Sequence, residues 1–288
     1  MQFFMTSPST TRRQFPYEGD KRLFIATKLT PKQPTPFACN IVMEDVYIYV
    51  GLSVIFFVFL LRMYSAKFYD IIIIHMTSLW YEAVFMKIAA TMGFNKLQNR
   101  NKGEPPFRLL DVGIGTATAL LTQKRYLEGL NTKVVGVDYD AEYVAAARQS
   151  VSAAGLSDRV IIHCCSIYEA TPVEEEVRKH GKFDAVYFSG SFSLMPDPLE
   201  ALLVVAKYVK SGGFIYITQT FQKKSFPGAS IGKPLLKYIT TIDFGQLFFE
   251  TQLEDVLRKS GLKVCSNHVI PRSVDNRWQS ARCITLQV

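Results

Sequence analysis

The sequence is poor in the residues that build disulfide frameworks, metal sites and nucleic-acid interfaces. It has five cysteines among 288 residues, and no two of them form a C-x-x-C pair. The odd number and irregular spacing argue against a disulfide scaffold and indicate reduced thiols. The net charge is +8, but there is no dense lysine and arginine stretch, so we expect no nucleic-acid partner and no metal site. The positive charge suits solubility or attraction to an anionic membrane surface.

The first part of the chain lacks sustained hydrophobic periodicity. Residues 1–45 contain serine, threonine, proline and scattered basic residues, which predicts a disordered N-terminal arm. A mitochondrial transit peptide is the alternative. Arg12 and Arg13 favour it, whereas Glu18 and Asp20 count against it because transit peptides are poor in acidic residues.

The next segment, VYIYVGLSVIFFVFLLRMY over residues 46–64, has no charged residue from Val46 to Leu61. As a helix this uncharged run is ~24 Å long, shorter than the ~30 Å hydrocarbon core of a bilayer. The flanking tyrosines and Arg62 extend the span if they lie at the interface. We predict a single-pass transmembrane helix over 46–64, with the folded domain facing the cytosol or the mitochondrial matrix. A buried core helix is the alternative.

Residues 65–106 are predicted to form helices that precede the main domain and pack against it. Asn, Gly and a proline pair in QNRNKGEPP end this helical stretch and mark a domain boundary. The residues at roughly helical spacing are Ile72, His75, Met76, Leu79, Trp80, Val84 and Met86.

From Phe107 onwards, short apolar strands alternate with helical segments, which predicts a parallel sheet covered by helices on both faces. The last two strands, Leu262–Ile270 and Arg282–Val288, are too close for a helix between them and therefore form an antiparallel hairpin. We predict an α/β domain over 107–288, with a Rossmann-like seven-stranded sheet and a C-terminal antiparallel hairpin. Expected helix N-caps are Asp140, Thr171, Asp197 and Thr251, and residues 116–130 are expected to form one helix.

A glycine loop follows the first strand in the sequence LLDVGIGTATALL. Gly113 and Gly115 lie where a parallel sheet binds ligands, and glycine lets the backbone approach a ligand closely. A dinucleotide fingerprint needs glycine or alanine where this chain has Thr118, and a pyrophosphate disfavours the nearby Asp111. Asp138 ends the second strand, where a carboxylate accepts hydrogen bonds from ribose hydroxyls. The combination indicates S-adenosylmethionine rather than NAD.

Five segments in order carry a resemblance to a known family: LLDVGIGTA, VVGVD, DRVIIHCCSI, FDAVYFSGSFSLMPDP and AKYVKSGGFIYIT. They resemble the successive motifs of class I S-adenosylmethionine-dependent methyltransferases. The resemblance implies that cofactor-binding residues follow the first four strands: Asp111, Gly113, Ile114 and Gly115, then Asp138 and Tyr139, then Ser166 and Ile167, and then Ser189 with Gly190. Ser166 stands where the family often has an aspartate.

The segment before the domain is similar to the lid helix of quinone-pathway C-methyltransferases. Tyr69 and Asp70 match a Tyr-Asp pair that closes over the cofactor in that group. However, Ser193 and Leu194 stand where the quinone enzymes have an Arg-Asn pair, which argues against a quinone acceptor. The insertion over 222–249 mixes apolar residues with lysines, as expected of a substrate lid at a membrane surface.

These observations predict a membrane-anchored methyltransferase that acts on a small apolar or lipid-like acceptor. The alternative is a non-catalytic S-adenosylmethionine-binding protein on the same fold. An NAD-dependent oxidoreductase is disfavoured by Thr118 and by the final hairpin. Methyl transfer depends mainly on positioning, and a base is needed only where the acceptor must lose a proton. None of the four histidines is assigned as a catalytic base.

Overall fold

The computed structural model describes residues 49–53, 56–57, 74–92, 105–224 and 248–288. Residues 49–53 are helical and belong to one compact unit, whereas the residues from Val54 onwards belong to a second. The predicted N-terminal arm and most of the predicted transmembrane helix lie outside the described residues. Within the described part of the chain, no helix is both long enough and apolar enough to cross a membrane.

A single seven-stranded sheet organises the second unit. Its spatial order is β3-β2-β1-β4-β5-β7-β6. Strands β1 to β5 pair in parallel, and β7 runs antiparallel to both β5 and β6. The strands are β1 Phe107–Val112, β2 Thr132–Asp138, β3 Val160–Cys164, β4 Phe183–Ser189, β5 Val209–Gln222, β6 Lys263–Val269 and β7 Gln279–Gln287. Because the chain leaves β1 first towards β3 and then towards β4, the carboxyl ends of β1 and β4 flank a ligand-binding crevice.

Helices connect these strands and cover both faces of the sheet. The helical residues 74–92, here α1, precede the sheet. The others are α2 Thr118–Leu121, α3 Lys124–Gly129, α4 Ala141–Ala153, α5 Thr171–His180, α6 Pro198–Tyr208 and α7 Glu250–Ser260, with 3₁₀ turns at Ile167–Glu169 and Phe192–Leu194. The predicted sheet, its helices on both faces and its C-terminal hairpin are thus confirmed. Strand β7 begins earlier than the predicted Arg282 because its first residues pair with the end of β5, where Gln279 lies opposite Gln222.

Three local predictions were wrong. Residues 116–130 form two short helices, because Ala117 adopts a left-handed conformation (φ 59°) and Gln123 departs from helical geometry between them. Thr171 and Thr251 are not N-caps. Thr171 lies inside its helix after Ala170, which makes no side-chain cap. At α7, the Gln252 side chain accepts a hydrogen bond from the Phe249 amide instead. Asp140 and Asp197 are N-caps as predicted.

The core has two layers, one on each face of the sheet. On one face, α1 packs with α2, α3 and α4, and its buried residues are Trp80, Tyr81, Val84, Phe85 and Ile88. Of the residues noted at helical spacing, Trp80 and Val84 are buried, whereas His75 and Met86 are exposed. On the other face, α5, α6 and α7 cover the sheet. Because α1 buries a full side of its surface, it is a structural part of the domain.

The N-cap of α6 gives a direct test of the local structure. Asp197 accepts a hydrogen bond from the Glu200 amide at 3.0 Å, so Asp197→Ala should lower the free energy of unfolding by about 1 kcal/mol. Asp197→Asn keeps a good cap and should stay close to wild type. Urea unfolding of the three proteins measures both effects. Equal stability of the alanine variant and wild type would contradict the assigned cap.

Candidate functional site

The structure brings the predicted site residues to one edge of the sheet. The segments that follow β1, β2, β3 and β4 all lie at the carboxyl ends of neighbouring parallel strands. These segments and the last residues of the strands before them contain every predicted cofactor residue except Tyr69, which lies outside the described part of the chain. The edge coincides with the crevice between β1 and β4, where open α/β sheets bind their ligands.

The two glycines of the loop share a backbone conformation but differ in the space around them. Both have positive φ angles, 73° at Gly113 and 57° at Gly115, a region that side chains with a Cβ rarely adopt. A Cβ at Gly113 would overlap the Cβ of Ser191, whose hydroxyl donates to the Val112 carbonyl. A Cβ on Gly115 would meet no protein atom within 4 Å. The loop is thus packed against β4 at Gly113 and open at Gly115.

Asp138 joins this loop to the end of β2. One carboxylate oxygen accepts a hydrogen bond from the Gly115 amide at 2.9 Å, and the other accepts from the Asp140 amide at 3.0 Å. The side chain is buried. A carboxylate has about four acceptor positions, so Asp138 keeps capacity for further donors. The next residue, Tyr139, is 79% exposed and presents a free aromatic ring beside the carboxylate.

Asp111 lies fully buried on the face of the sheet that α1 covers. Its Oδ2 accepts a hydrogen bond from the Tyr81 hydroxyl at 2.5 Å. Its Oδ1 is buried without a hydrogen-bond partner. Burial raises the pKa of Asp111 to about 7. The hydrogen bond from Tyr81 opposes this shift, and the negative charge of Asp138 adds to it.

Two tyrosines that the sequence analysis did not identify surround Asp111. Tyr81 projects from α1, and Tyr187 lies opposite Asp111 in the register of β1 and β4. Their rings meet edge to face at a centroid distance of 4.9 Å. The Tyr187 hydroxyl is 2.7 Å from that of Thr218 on β5. Burial raises the pKa of both tyrosines well above the usual value, so both hydroxyls stay protonated. No sequence motif marks Tyr81, since its partner lies 30 residues away.

Helix α1 is held at this edge by polar contacts as well as by its apolar side. The indole of Trp80 donates to the Ser273 hydroxyl at 3.1 Å, and a Cβ on Gly190 would lie 3.0 Å from the Trp80 ring. Glu82 pairs with two arginines, Arg125 on α3 at 3.3 Å and Arg272 before β7 at 2.7 Å. The helix therefore forms one wall of the site. The lid predicted from Tyr69 lies outside the described residues.

The residues after β3 and β4 have more ordinary local roles in the described structure. The Ser166 hydroxyl accepts from the Tyr168 amide at 3.3 Å and so caps the following 3₁₀ turn. Ile167 is buried in the core on the face opposite α1. Ser189 and Gly190 end β4 and are partly exposed at the crevice. The hydroxyl of Ser166 and the end of β4 remain available to a ligand, whereas Ile167 contributes packing.

Comparisons with known proteins agree with this geometry. Residues 109–213 match the family model described as "Methyltransferase domain". The chain is 27% identical over 135 residues to a phosphatidylethanolamine N-methyltransferase of Cereibacter sphaeroides, covering 47% of this chain and 61% of the relative. It is 26% identical over 151 residues to a demethylmenaquinone methyltransferase of Bacillus cytotoxicus, covering 52% and 60%. The chain thus spans about three fifths of the length of these curated relatives.

A solved structure from Galdieria sulphuraria, assigned as a sarcosine dimethylglycine methyltransferase, shares the fold. The two chains are 13% identical with a TM-score of 0.52, and the match covers 73% of this chain and 84% of the other. At this identity the similarity shows the fold alone.

The raised pKa of Asp111 predicts how the cofactor-free protein responds to pH. Its pKa is about 7 when folded and 3.8 ordinarily, so between these values the unfolded chain has lost a proton that the folded chain keeps. Stability therefore falls as pH rises through this window. Relative to Asp111→Asn, wild type should lose about 1 kcal/mol per pH unit between pH 5 and pH 7. Urea unfolding at several pH values measures the difference, and parallel pH profiles would contradict the assignment.

Proposed function

We propose that this chain is a class I S-adenosylmethionine-dependent methyltransferase and transfers a methyl group from that cofactor to a small apolar or lipid-like acceptor. The observation that carries the proposal is the joined pair of Asp138 and Gly115. Their hydrogen bond sets a carboxylate beside an open glycine loop at the β1–β4 crevice. A carboxylate beside an open loop suits the ribose of S-adenosylmethionine and its positively charged methionine part.

The residues present fit S-adenosylmethionine. Gly115 leaves open space at the loop, Asp138 retains acceptor positions for ribose hydroxyls, and Tyr139 exposes a ring on which an adenine can stack. Asp111, once ionised, would supply negative charge close to the loop, as a cationic ligand requires and a pyrophosphate does not. The cofactor, when bound, supplies an activated methyl group on a sulfonium.

The chain itself contributes orientation and exclusion of water. Gly113 packs against Ser191, and Gly190 packs against Trp80, so the loop after β1 and the end of β4 are held on both sides of the crevice. Helix α1 covers Asp111, to which its Tyr81 hydroxyl donates a hydrogen bond. Rigid walls of this kind favour an in-line displacement, because the reacting atoms are held in one geometry. No residue is assigned as a base.

The proposed acceptor class rests on the names of the relatives and on the surface after β4. The curated relatives are named for phosphatidylethanolamine, ubiquinone biosynthesis and demethylmenaquinone. Ser193 and Leu194 lie in the 3₁₀ turn that follows β4, and Leu194 is 49% exposed there. An apolar side chain at the mouth of the crevice suits an apolar acceptor.

Membrane anchoring by residues 46–64 belongs to the same proposal. The support is the uncharged apolar run of the sequence and the net charge of +8, since basic proteins are attracted to anionic membrane surfaces. An anchored domain facing the cytosol or the mitochondrial matrix would meet a lipid-like acceptor at the bilayer surface.

Cofactor binding is tested by calorimetric titration with S-adenosylmethionine and, separately, with NAD. Wild type should bind S-adenosylmethionine and not NAD. Asp138→Asn should weaken binding about tenfold or more, because a carboxylate that orients both the loop and the ligand is lost. Asp140→Asn is the matched control, since asparagine is an equally good N-cap. Tight NAD binding without a response to S-adenosylmethionine would refute the proposal.

Turnover and the acceptor class are tested by transfer of a labelled methyl group to fractionated lipid extracts. We expect label in a lipid or prenylated fraction, and loss of that label in Asp138→Asn. Binding of S-adenosylmethionine without transfer to lipids or to water-soluble acceptors would instead support the non-catalytic alternative.

Anchoring is tested by flotation with vesicles that contain anionic phospholipid. The full chain should float with the vesicles, and a chain that lacks residues 1–62 should stay behind. Retention of both proteins in the dense fraction would contradict membrane anchoring and would leave cofactor binding unaffected.

A further inference from the structure

The carboxylate of Asp111 has one oxygen for which the described protein supplies no partner. Oδ2 accepts from the Tyr81 hydroxyl, whereas Oδ1 is buried and has no hydrogen bond. Leaving an ionised carboxylate unpaired in the interior is costly. A group of this kind stays protonated, or it is compensated by a charge from outside the protein.

The groups that face Asp111 do not provide that charge. Tyr81 approaches from α1, Tyr187 from β4 and Asp138 from the end of β2. At neutral pH the two tyrosines are uncharged and Asp138 is negative. Among the described residues no lysine, arginine or histidine forms an ion pair with Asp111. The neighbouring β2 position is Gly136, which has no side chain to offer.

We propose that Asp111 releases a proton to solvent when S-adenosylmethionine binds, and that Tyr81 is the positioning residue that holds Asp111 ready for this release. The inference rests on the proposed function. In this step the O–H bond of the Asp111 carboxyl breaks and its proton goes to water or buffer. The negative charge left on the carboxylate is compensated by the ammonium group of the cofactor's methionine part.

Tyr81 is suited to this role by where it is anchored. It lies between Trp80, which is bonded to Ser273, and Glu82, which is paired with Arg125 and Arg272. The Tyr81 hydroxyl therefore approaches Asp111 from a fixed direction and occupies Oδ2. Its donation stabilises the ionised carboxylate and leaves Oδ1 as the free acceptor. Without the Tyr81 hydroxyl, the Asp111 carboxyl should keep its proton to a higher pH.

The experiment is calorimetric titration of the full chain with S-adenosylmethionine at pH 6 and pH 7, in two buffers of different ionisation enthalpy. An α-amino group has a pKa of about 7.7–8.0, so the ligand itself is mainly an ammonium at both values. Relative to Asp111→Asn, wild type should release about nine-tenths of a proton at pH 6 and about half at pH 7. Its affinity should rise about fivefold between pH 6 and pH 7, and that of Asp111→Asn should not.

Tyr81→Phe tests positioning against a purely structural role. It should move the midpoint of proton release to higher pH, whereas a structural role would weaken binding equally at all pH values. Tyr187→Phe is the matched control, because it removes an equally buried hydroxyl that bonds to Thr218 and not to Asp111. In Tyr187→Phe the pH midpoint of proton release should stay at the wild-type value.

The outcomes separate this inference from the proposed function. Binding of S-adenosylmethionine with no more proton release in wild type than in Asp111→Asn would overturn the inference and leave the methyltransferase proposal standing. An unchanged midpoint in Tyr81→Phe would remove Tyr81 from the inference. If Tyr81→Phe fails to fold, the comparison with Asp111→Asn still decides the proton release. No binding by wild type would overturn both.

Discussion

The hydrogen bond between Tyr81 and Asp111 joins two parts of the site that are far apart in the sequence, helix α1 and strand β1. One partner lies on a helix before the sheet, and the other lies at the end of the first strand. The bond places a carboxylate in a fully buried position, where only a donor of fixed direction offsets part of the cost of burial. The apolar side of α1, the pairing of Glu82 with two arginines and the packing of Trp80 on Gly190 all maintain the position from which Tyr81 donates.

The remainder of the crevice depends on close approach between backbones. Gly113 leaves room for Ser191, and Gly136 leaves room for the Ile114 side chain, to which a Cβ would come within 2.5 Å. Asp138 then ties the loop to β2 through the Gly115 amide. The loop after β1 is therefore held by β2 on one side and β4 on the other. Its open point is Gly115, where a Cβ would meet no protein atom within 4 Å.

Much of this arrangement was accessible from the sequence. The helix-covered parallel sheet and the final hairpin follow from apolar runs alternating with helical segments, and Asp140 and Asp197 are recognisable as N-caps. The errors occurred where tertiary contacts override local preference. Gln123 interrupts the expected helix, and its side chain bonds to the Ser78 carbonyl on α1. Ile167 has a place in the core on the face opposite α1, and its predicted contact with the cofactor stays a prediction.

The sequence by itself determined the sheet, the glycine loop and the carboxylates at Asp111 and Asp138, because periodicity and turn chemistry are local properties. Only the tertiary structure decided that Asp111 is bonded to Tyr81 and that its second oxygen has no partner. It also decided that Phe85 rather than Met86 faces the core. The physical reason is that burial and partner choice depend on how α1 packs on the sheet, and this packing joins residues that are far apart in the chain.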